Sequence, residues 1–99
     1  MSVKLVAIYD TPEDRSAFDK HYDEVHTPIA KSVPGLSDIR ITRTPTRLMG
    51  EADVYLIAEL IFPDQATFDA AMASDENKAA GRDLANFSKG KVSLFVASD

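Results

Sequence analysis

The chain has 99 residues, of which 44% are hydrophobic and 27% charged, which is the composition of one globular domain spanning residues 1–99. It contains no cysteine, which excludes disulfides, a thiol nucleophile and thiolate metal sites, and its net charge of −5 argues against binding to nucleic acid. No stretch is long and apolar enough for a signal peptide or a membrane span, so we expect a cytoplasmic protein with no membrane contact.

The first third of the sequence predicts a strand followed by a helix. Val3 to Tyr9 is rich in β-branched and aromatic residues, which favours a central strand. Thr11-Pro12 combines an N-cap with a proline in the first helical turn, so a helix should run from there to about His26. Pro28 has no N–H and clashes with the preceding turn, and it should therefore break or kink this helix. Thr27 with Pro28 repeats the cap-and-proline pattern and predicts a short second turn through Ser32.

Two strands follow a predicted turn. Pro34-Gly35 places glycine where a type II turn requires a positive φ. Asp38 to Thr44 alternates polar and apolar residues, which is typical of a strand with one solvated face. Asp53 to Phe62 is the longest predicted strand and has two distinct faces. One face carries Val54, Leu56, Ala58, Leu60 and Phe62, and the other carries Tyr55, Ile57, Glu59 and Ile61.

The last third predicts helical structure and a closing strand. A helical region opens at Pro63-Asp64, is capped again at Ser74 and ends at Gly90. Lys91 to Ala97 is the final predicted strand. The resulting order, βαββαβ, is that of an α+β ferredoxin-like fold, with an antiparallel four-stranded sheet and helices on one face.

The other face of this sheet is expected to be apolar. It would carry Tyr55, Ile57 and Ile61, together with either Phe95 or its alternating neighbours Val92, Leu94 and Val96. Burying four such side chains contributes roughly 6–12 kcal/mol, which rivals the stability of a whole domain. We therefore predict a two-fold homodimer with its sheets packed face to face. Glu59 is the charged residue on this face, and we expect it to pair with an arginine such as Arg40 on the neighbouring strand.

Both histidines of the chain lie on the first predicted helix. At about 100° per residue, Phe18, Tyr22, Val25 and Ile29 form one apolar stripe, with His21 and His26 on its two flanks. The imidazoles should therefore lie at the margins of the buried face, where a side chain can reach a cleft.

His26, His21 and Tyr22 are the candidate catalytic residues. Because the ordinary pKa of histidine is near neutral, His26 can act as an acid or a base. Alternatively, His26 has a structural role and hydrogen-bonds a carbonyl freed by Pro28. His21 has acidic neighbours and is either catalytic or a partly solvated ring paired with a carboxylate. The Tyr22 hydroxyl binds substrate or donates a proton, or else Tyr22 only packs in the core.

A small apolar pocket is expected between this helix and the sheet, with Phe18, Leu56 and Ala58 as ligand-binding residues. The two histidines are five residues apart and would point about 140° apart, so we expect no shared metal site. The sequence has no G-x-S-x-G motif and no glycine-rich phosphate loop. Any oxidation would therefore use no nucleotide cofactor of the protein's own.

The chain resembles the EthD family, named for a protein of ethyl tert-butyl ether degradation. The resemblance rests on Phe18-Asp19-x-His21-Tyr22-x-x-x-His26-x-Pro28, on Pro34-Gly35-Leu36, and on two further segments, Tyr55 to Leu60 and Leu84 to Phe87. Ile29 stands where leucine is expected after the proline. The resemblance implies a dimeric α+β barrel and a link to oxidative degradation, and some similar proteins in polyketide pathways look like cyclases or dehydratases.

Three functional hypotheses follow from these features. The first is a homodimer that binds a small apolar carbonyl or aromatic compound and uses a histidine acid or base, as a cofactor-independent monooxygenase-type oxidoreductase or a cyclase or isomerase. The second is a non-catalytic ligand-binding or accessory protein for a degradative oxygenase. The third is a dimer whose histidines serve structure alone.

Overall fold

The computed structural model describes all 99 residues, Met1 to Asp99. In chain order, the elements are β1 (Val3–Tyr9), α1 (Arg15–His21), a π-helical turn (Tyr22–His26), α2 (Thr27–Lys31), β2 (Asp38–Arg43), β3 (Leu56–Phe62), α3 (Gln65–Met72), α4 (Asp75–Ser88) and β4 (Val92–Ser98). The strands form one sheet in the order β2-β3-β1-β4, with every neighbouring pair antiparallel. This confirms the ferredoxin-like fold. No helix has the length and apolar character that crossing a membrane requires.

The first helix begins later than the sequence pattern predicts. Its N-cap is Asp14, whose carboxylate accepts a hydrogen bond from the Ala17 N–H at 3.0 Å. Thr11 does not cap the helix, because its N–H and hydroxyl both donate to the Asp53 carboxylate, at 3.0 and 2.7 Å. Asp53 is thereby held outside the sheet, and β3 begins at Leu56 rather than at Asp53.

Pro28 widens the helix where a break or kink was expected. His26 and Thr27 keep helical backbone angles, and the Thr27 N–H donates to the carbonyl of Tyr22, five residues back. A π-type turn inserts one extra residue into the helix, which relieves the clash that proline causes in a regular α-helix. Pro28 then lies in the first turn of α2, where its missing N–H leaves no hydrogen bond unmade.

The widened turn also changes which residues face the sheet. Phe18, Tyr22, His26 and Ala30, each four residues apart, are all buried, whereas Val25 is 41% exposed. The predicted stripe is therefore wrong from Val25 onward, and His26 occupies a core position instead of a flank.

Two buried clusters fill the space between the helices and the sheet. The cluster nearest the first helix is aromatic and consists of Ala7, Tyr9, Phe18, Tyr22, Tyr55, Leu56 and Ala58. The cluster under α3 consists of Val3, Val33, Leu60, Phe62, Phe68 and Ala71. The predicted alternation along β3 is confirmed, since Leu56, Ala58, Leu60 and Phe62 are buried while the residues between them are half-buried.

The strand register identifies the residues on the face without helices. Val6 lies between Glu59 and Phe95, and Ile8 lies between Ile57 and Ser93, so these side chains share that face. The apolar residues on the face are Val6, Ile8, Ile57, Ile61, Phe95 and Ala97.

Two details of this face differ from expectation. Tyr55 belongs to the helix side, where it packs edge-on against Phe18 and donates its hydroxyl to Asp19 at 2.8 Å. Glu59 forms an ion pair with Lys4 at 3.6 Å, rather than with Arg40. Arg40 is opposite Glu59 in the register but binds Asp38, its neighbour along the same side of β2.

The turn before β2 requires glycine for two reasons. Gly35 has φ of 82°, and a Cβ at this position would collide with the Cγ2 methyl of Thr67. We expect Gly35→Ala to lower the free energy of unfolding by about 1–3 kcal/mol, measured by chemical denaturation. The double variant Gly35→Ala/Thr67→Ser lacks that methyl and should recover the steric part of the loss. Equal losses with and without the methyl would contradict the steric explanation.

Candidate functional site

A cavity of about 180 Å³ lies between the helical layer and the sheet. Its walls are mostly apolar, and β1, β2 and β3 form its floor. The apolar lining comprises Leu5, Ala7, Ala30, Ile39, Ile41, Ala58, Leu60, Met72, Ala80, Leu84 and Leu94. Leu94 belongs to the cavity wall and is also 51% exposed, so the cavity meets the surface beside β4.

The polar lining is limited to a few side chains: Tyr9, Tyr22, His26, Thr27 and Asn77. The Asn77 amide already donates to the Met72 carbonyl at 3.2 Å. The Thr27 hydroxyl, in contrast, is buried and has no hydrogen-bond partner in the chain. Because an unpaired buried hydroxyl is costly, Thr27 is a group that a ligand in the cavity would satisfy.

A single carboxylate fixes both histidines. Nδ1 of His26 lies 2.9 Å from Oδ2 of Asp83, and Nε2 of His21 lies 2.8 Å from Oδ1 of the same residue. A carboxylate oxygen accepts hydrogen bonds, so the neutral His26 ring carries its proton on Nδ1. Nε2 of His26 makes no hydrogen bond within the chain and is the basic nitrogen available at the cavity.

Burial keeps the His26 imidazole neutral near pH 7. The residue is only 7% exposed. Desolvation lowers its pKa, while the hydrogen bond and charge of Asp83 act in the opposite direction. The result is an uncharged base held in one orientation.

The two tyrosines beside His26 remain protonated. Burial raises the pKa of Tyr22 to about 12 and raises that of Tyr9 as well. The Tyr22 ring lies 5.4 Å from the His26 ring and 5.5 Å from the Tyr9 ring, measured between centroids. The Tyr9 hydroxyl is engaged with that of Tyr22, so the Tyr22 hydroxyl is the one that can donate a hydrogen bond to an anion at the cavity wall.

Phe87 of α4 covers the histidine pair. Its ring centroid lies 4.9 Å from the centroids of both His21 and His26. This contact restricts rotation of the two imidazoles. The Asp83 side chain between them is only 12% exposed, although aspartate is usually found at the surface.

His21 borders a second, polar depression on the other side of Asp83. This depression has a volume of about 390 Å³. Its charged lining residues are Asp10, Glu13, Asp14, Lys89 and Lys91. The His21 side chain is about one-third exposed, whereas that of His26 is about one-tenth exposed.

The structure brings the three candidate catalytic residues together. His21 and His26 both bind Asp83, and the Tyr22 ring packs beside those of His26 and Phe87. The expected divergence of the two histidines is wrong because the π-helical turn rotates His26 toward the same carboxylate. Ala58 lines the cavity. Of the other expected ligand contacts, Leu56 is fully buried in the core, and Phe18 packs between Tyr22 and Tyr55 and borders the polar depression instead.

Asp83 was not among the site residues predicted from sequence, and Thr27 was not predicted to have a role at a ligand site. Asp83 lies among Ala80, Leu84 and Phe87, the apolar positions of α4, and a carboxylate at such a position indicates a buried partner. Thr27 was interpreted as a helix cap, but its hydroxyl makes no capping bond. No group of three metal-ligating side chains is arranged to hold a metal ion.

Comparison with known proteins identifies the family. Residues 10–91 match the family model of the EthD domain. The chain belongs to the EthD family. An EthD family protein from Bacillus halodurans has a crystal structure with a TM-score of 0.93 and 39% identity, over 100% of this chain and 99% of that one. An uncharacterized 11.0 kDa protein of Rhodococcus erythropolis, from the thcB-thcC intergenic region, is 28% identical over 97% of this chain and 93% of its own length.

More distant solved structures share the fold. A dimeric ferredoxin-like protein of unknown function from Jannaschia has a TM-score of 0.73 and 17% identity, with both chains fully covered. SnoaB from Streptomyces nogalater, a cofactor-independent oxygenase, has a TM-score of 0.70 and 14% identity, over 99% of this chain and 92% of its own. The fold of this EthD protein is thus shared by dimeric proteins and by an oxygenase that uses no cofactor.

The lowered pKa of His26 predicts acid sensitivity. As the pH falls below the ordinary histidine value of about 6.5, the unfolded chain binds a proton that native His26 resists. The free energy of unfolding should therefore decrease from that pH down to the native pKa of His26. Denaturation curves between pH 7 and pH 5 should show this decrease in the wild type and a smaller one in His26→Gln. Lys20→Gln, on the exposed side of α1, should behave as wild type, and an unchanged slope in His26→Gln would refute the assignment.

Proposed function

We propose that this EthD protein binds a small, mostly apolar carbonyl or aromatic compound in the cavity and that His26 acts as its acid–base group. The reaction begins with proton abstraction and requires no bound cofactor. It continues as a cofactor-independent oxidation or as a cyclase- or isomerase-type rearrangement.

The observation that carries this proposal is the position of His26. One nitrogen of the ring is bound by Asp83, the other is available at an apolar cavity, and burial keeps the ring neutral. An oriented neutral imidazole in a desolvated site is suited to remove a proton beside a carbonyl or from a phenol.

Size and polarity define the substrate class. A cavity of about 150 Å³ accommodates one benzene ring, so the cavity of about 180 Å³ suits one ring with a short substituent. The polar groups available to such a ligand are Nε2 of His26 and the hydroxyls of Tyr22 and Thr27. These groups would hold one oxygen function of the ligand while the apolar wall holds the remainder.

The proposed chemistry requires only groups of this chain and its substrate. Nε2 of His26 takes a proton from the substrate, which leaves an enolate or phenolate, and the Tyr22 hydroxyl donates a hydrogen bond to that anion. In an oxidation, the electron-rich carbon forms a C–O bond with dioxygen, and the resulting peroxide anion takes the proton back from His26 as a hydroperoxide. In a cyclisation, this carbon forms a C–C bond with a carbonyl carbon of the same molecule, and the carbonyl oxygen takes that proton. The description of SnoaB as a cofactor-independent oxygenase supports the first route on a related fold.

We test this function with phenylacetaldehyde, a one-ring carbonyl compound with acidic α-hydrogens. Exchange of those hydrogens in deuterium oxide is followed by proton NMR. The wild type should accelerate the exchange, and His26→Gln should lower this acceleration about 100-fold or more, because general acid–base groups typically contribute that much. Lys20→Gln is the matched control and should exchange as wild type. Equal acceleration by wild type and His26→Gln would remove His26 from the mechanism.

The alternative is a non-catalytic ligand-binding or accessory protein for a degradative oxygenase. It is favoured by the apolar lining, which suits binding without requiring any chemistry. Saturable shifts of the protein resonances with phenylacetaldehyde, without any exchange above buffer, would support this alternative. A structural role of the histidines alone predicts no exchange above buffer and ligand binding that is the same in His26→Gln as in the wild type.

A homodimer is part of the proposal. The helix-free sheet face carries several apolar side chains, including Phe95, which is 53% exposed. Burial of such a face by a second copy removes apolar surface from water, and the Jannaschia protein with the same fold is dimeric. We therefore place two sheets face to face across a two-fold axis.

Phe95→Asp should dissociate this dimer. Each dimer contains two copies of Phe95, so the substitution should cost roughly 3–6 kcal/mol and weaken association at least about 100-fold. Sedimentation equilibrium should give the wild type twice the 10.8 kDa mass of one chain, and the variant that of a single chain. Asn86→Asp adds the same charge on the exposed side of α4 and should remain dimeric. A wild-type mass of one chain would exclude the interface.

A further inference from the structure

The cavity reaches solvent at two of its lining residues. Gly81 of α4 and Leu94 of β4 are exposed, whereas every other residue of the lining is buried or half-buried. Leu94 is opposite Ala7 in the strand register, so its side chain lies on the helix side of the sheet. The two exposed residues therefore mark the entrance for a ligand. A dimer formed through the opposite face of the sheet leaves this entrance open.

The helical period places Gly81 on the side of α4 that is turned away from the first helix. Asn77, Ala80, Gly81 and Leu84 form the stripe of α4 that lines the cavity. Asp83 contacts the first helix, because it binds both histidines. Gly81 is two residues before Asp83, so the two positions point roughly 160° apart around the helix axis. Gly81 is thus the member of the inward stripe that lies at its solvent margin.

No backbone requirement explains a glycine at this position. The other three glycines, Gly35, Gly50 and Gly90, have positive φ, whereas Gly81 lies in the middle of α4 and does not. A Cβ added at Gly81 would meet no atom within 4 Å. Glycine in the interior of a helix lowers stability relative to alanine. The chain thus lacks stability that alanine would supply, and the glycine leaves open space at the cavity entrance.

We propose that Gly81 sets the width of the cavity entrance and is thereby a specificity-determining residue for the ligand. A side chain at position 81 would project from the inward stripe across the opening, whereas the bare backbone leaves a passage beside Leu94. The passage favours slender apolar ligands such as a single ring with a short substituent. The proposal rests on the ligand-binding part of the proposed function and does not depend on the acid–base role of His26.

The experiment uses toluene, which has one ring, one methyl group and no proton that a histidine can remove. Its association and dissociation rate constants with the protein are measured by NMR exchange spectroscopy. Gly81→Leu should lower both rate constants at least about 10-fold, because the added side chain must move aside each time a ligand passes. Arg82→Leu is the matched control. It adds leucine at the next, exposed position of α4 and should bind toluene as wild type.

Gly81→Ala is a second variant that is expected to fold better than the wild type. It should raise Tm by roughly 4–8 °C, since alanine removes the cost of glycine in a helix. It should also slow association and dissociation, by a smaller factor than Gly81→Leu. Slower entry in a more stable protein separates a narrowed entrance from damage to the fold.

A glycine with no role at the entrance predicts a different result. Gly81→Ala would then raise Tm, while both Gly81 variants would bind toluene at the wild-type rates, and this outcome would overturn the proposal. A change in the dissociation rate constant alone would place the side chain inside the cavity and would also overturn it, as would the absence of saturable toluene binding to the wild type. Failure of the phenylacetaldehyde assay would reject the acid–base function but leave the toluene rate constants unchanged.

Discussion

The position of His26 depends on one widened turn of the first helix. Proline at position 28 cannot follow a regular α-helical turn without a clash, and the i→i+5 bond from Thr27 to Tyr22 relieves it by inserting a residue. That insertion rotates the following residues, so that His26 replaces Val25 on the buried face. Without it, the imidazole would lie on the flank of the helix, away from Asp83 and from the cavity. Single π-helical turns are frequently found at functional sites.

The prediction from sequence succeeded where the residue period was regular. The bounds of β1 and the two faces of β3 follow from alternation, which is fixed by strand geometry and insensitive to tertiary context. It failed where long-range contacts decided the outcome. Thr11 was predicted to cap the helix, but Asp53, 42 residues away in sequence, binds it instead. Tyr55 would face away from the helices if the strand began earlier, and it is turned inward because β3 begins one residue after it.

The candidate site was predictable only in part, for similar reasons. His21, His26 and Tyr22 were chosen as candidates because histidine and tyrosine are few in the sequence and occur together there. Their common partner was missed, since 57 residues separate His26 from Asp83 and no local pattern relates them. The helical period assigned His21 and His26 to different sides of the helix, and an inserted residue of a π-helical turn leaves no signature in composition. The position of Asp83 on the apolar stripe of α4 was the signal that could have indicated a buried acceptor.

Stability and reactivity are connected through the burial of His26. Desolvation keeps the ring in the neutral form that can accept a proton, but it also makes protonation costly to the native state. Asp83 limits this cost, because its carboxylate stabilises the imidazolium that forms when His26 takes up a second proton. The carboxylate is itself buried and requires two donors, which the two histidines supply. His21, His26 and Asp83 thus each reduce the free-energy cost of burying another of the three. The same contacts leave Nε2 of His26 facing an apolar cavity.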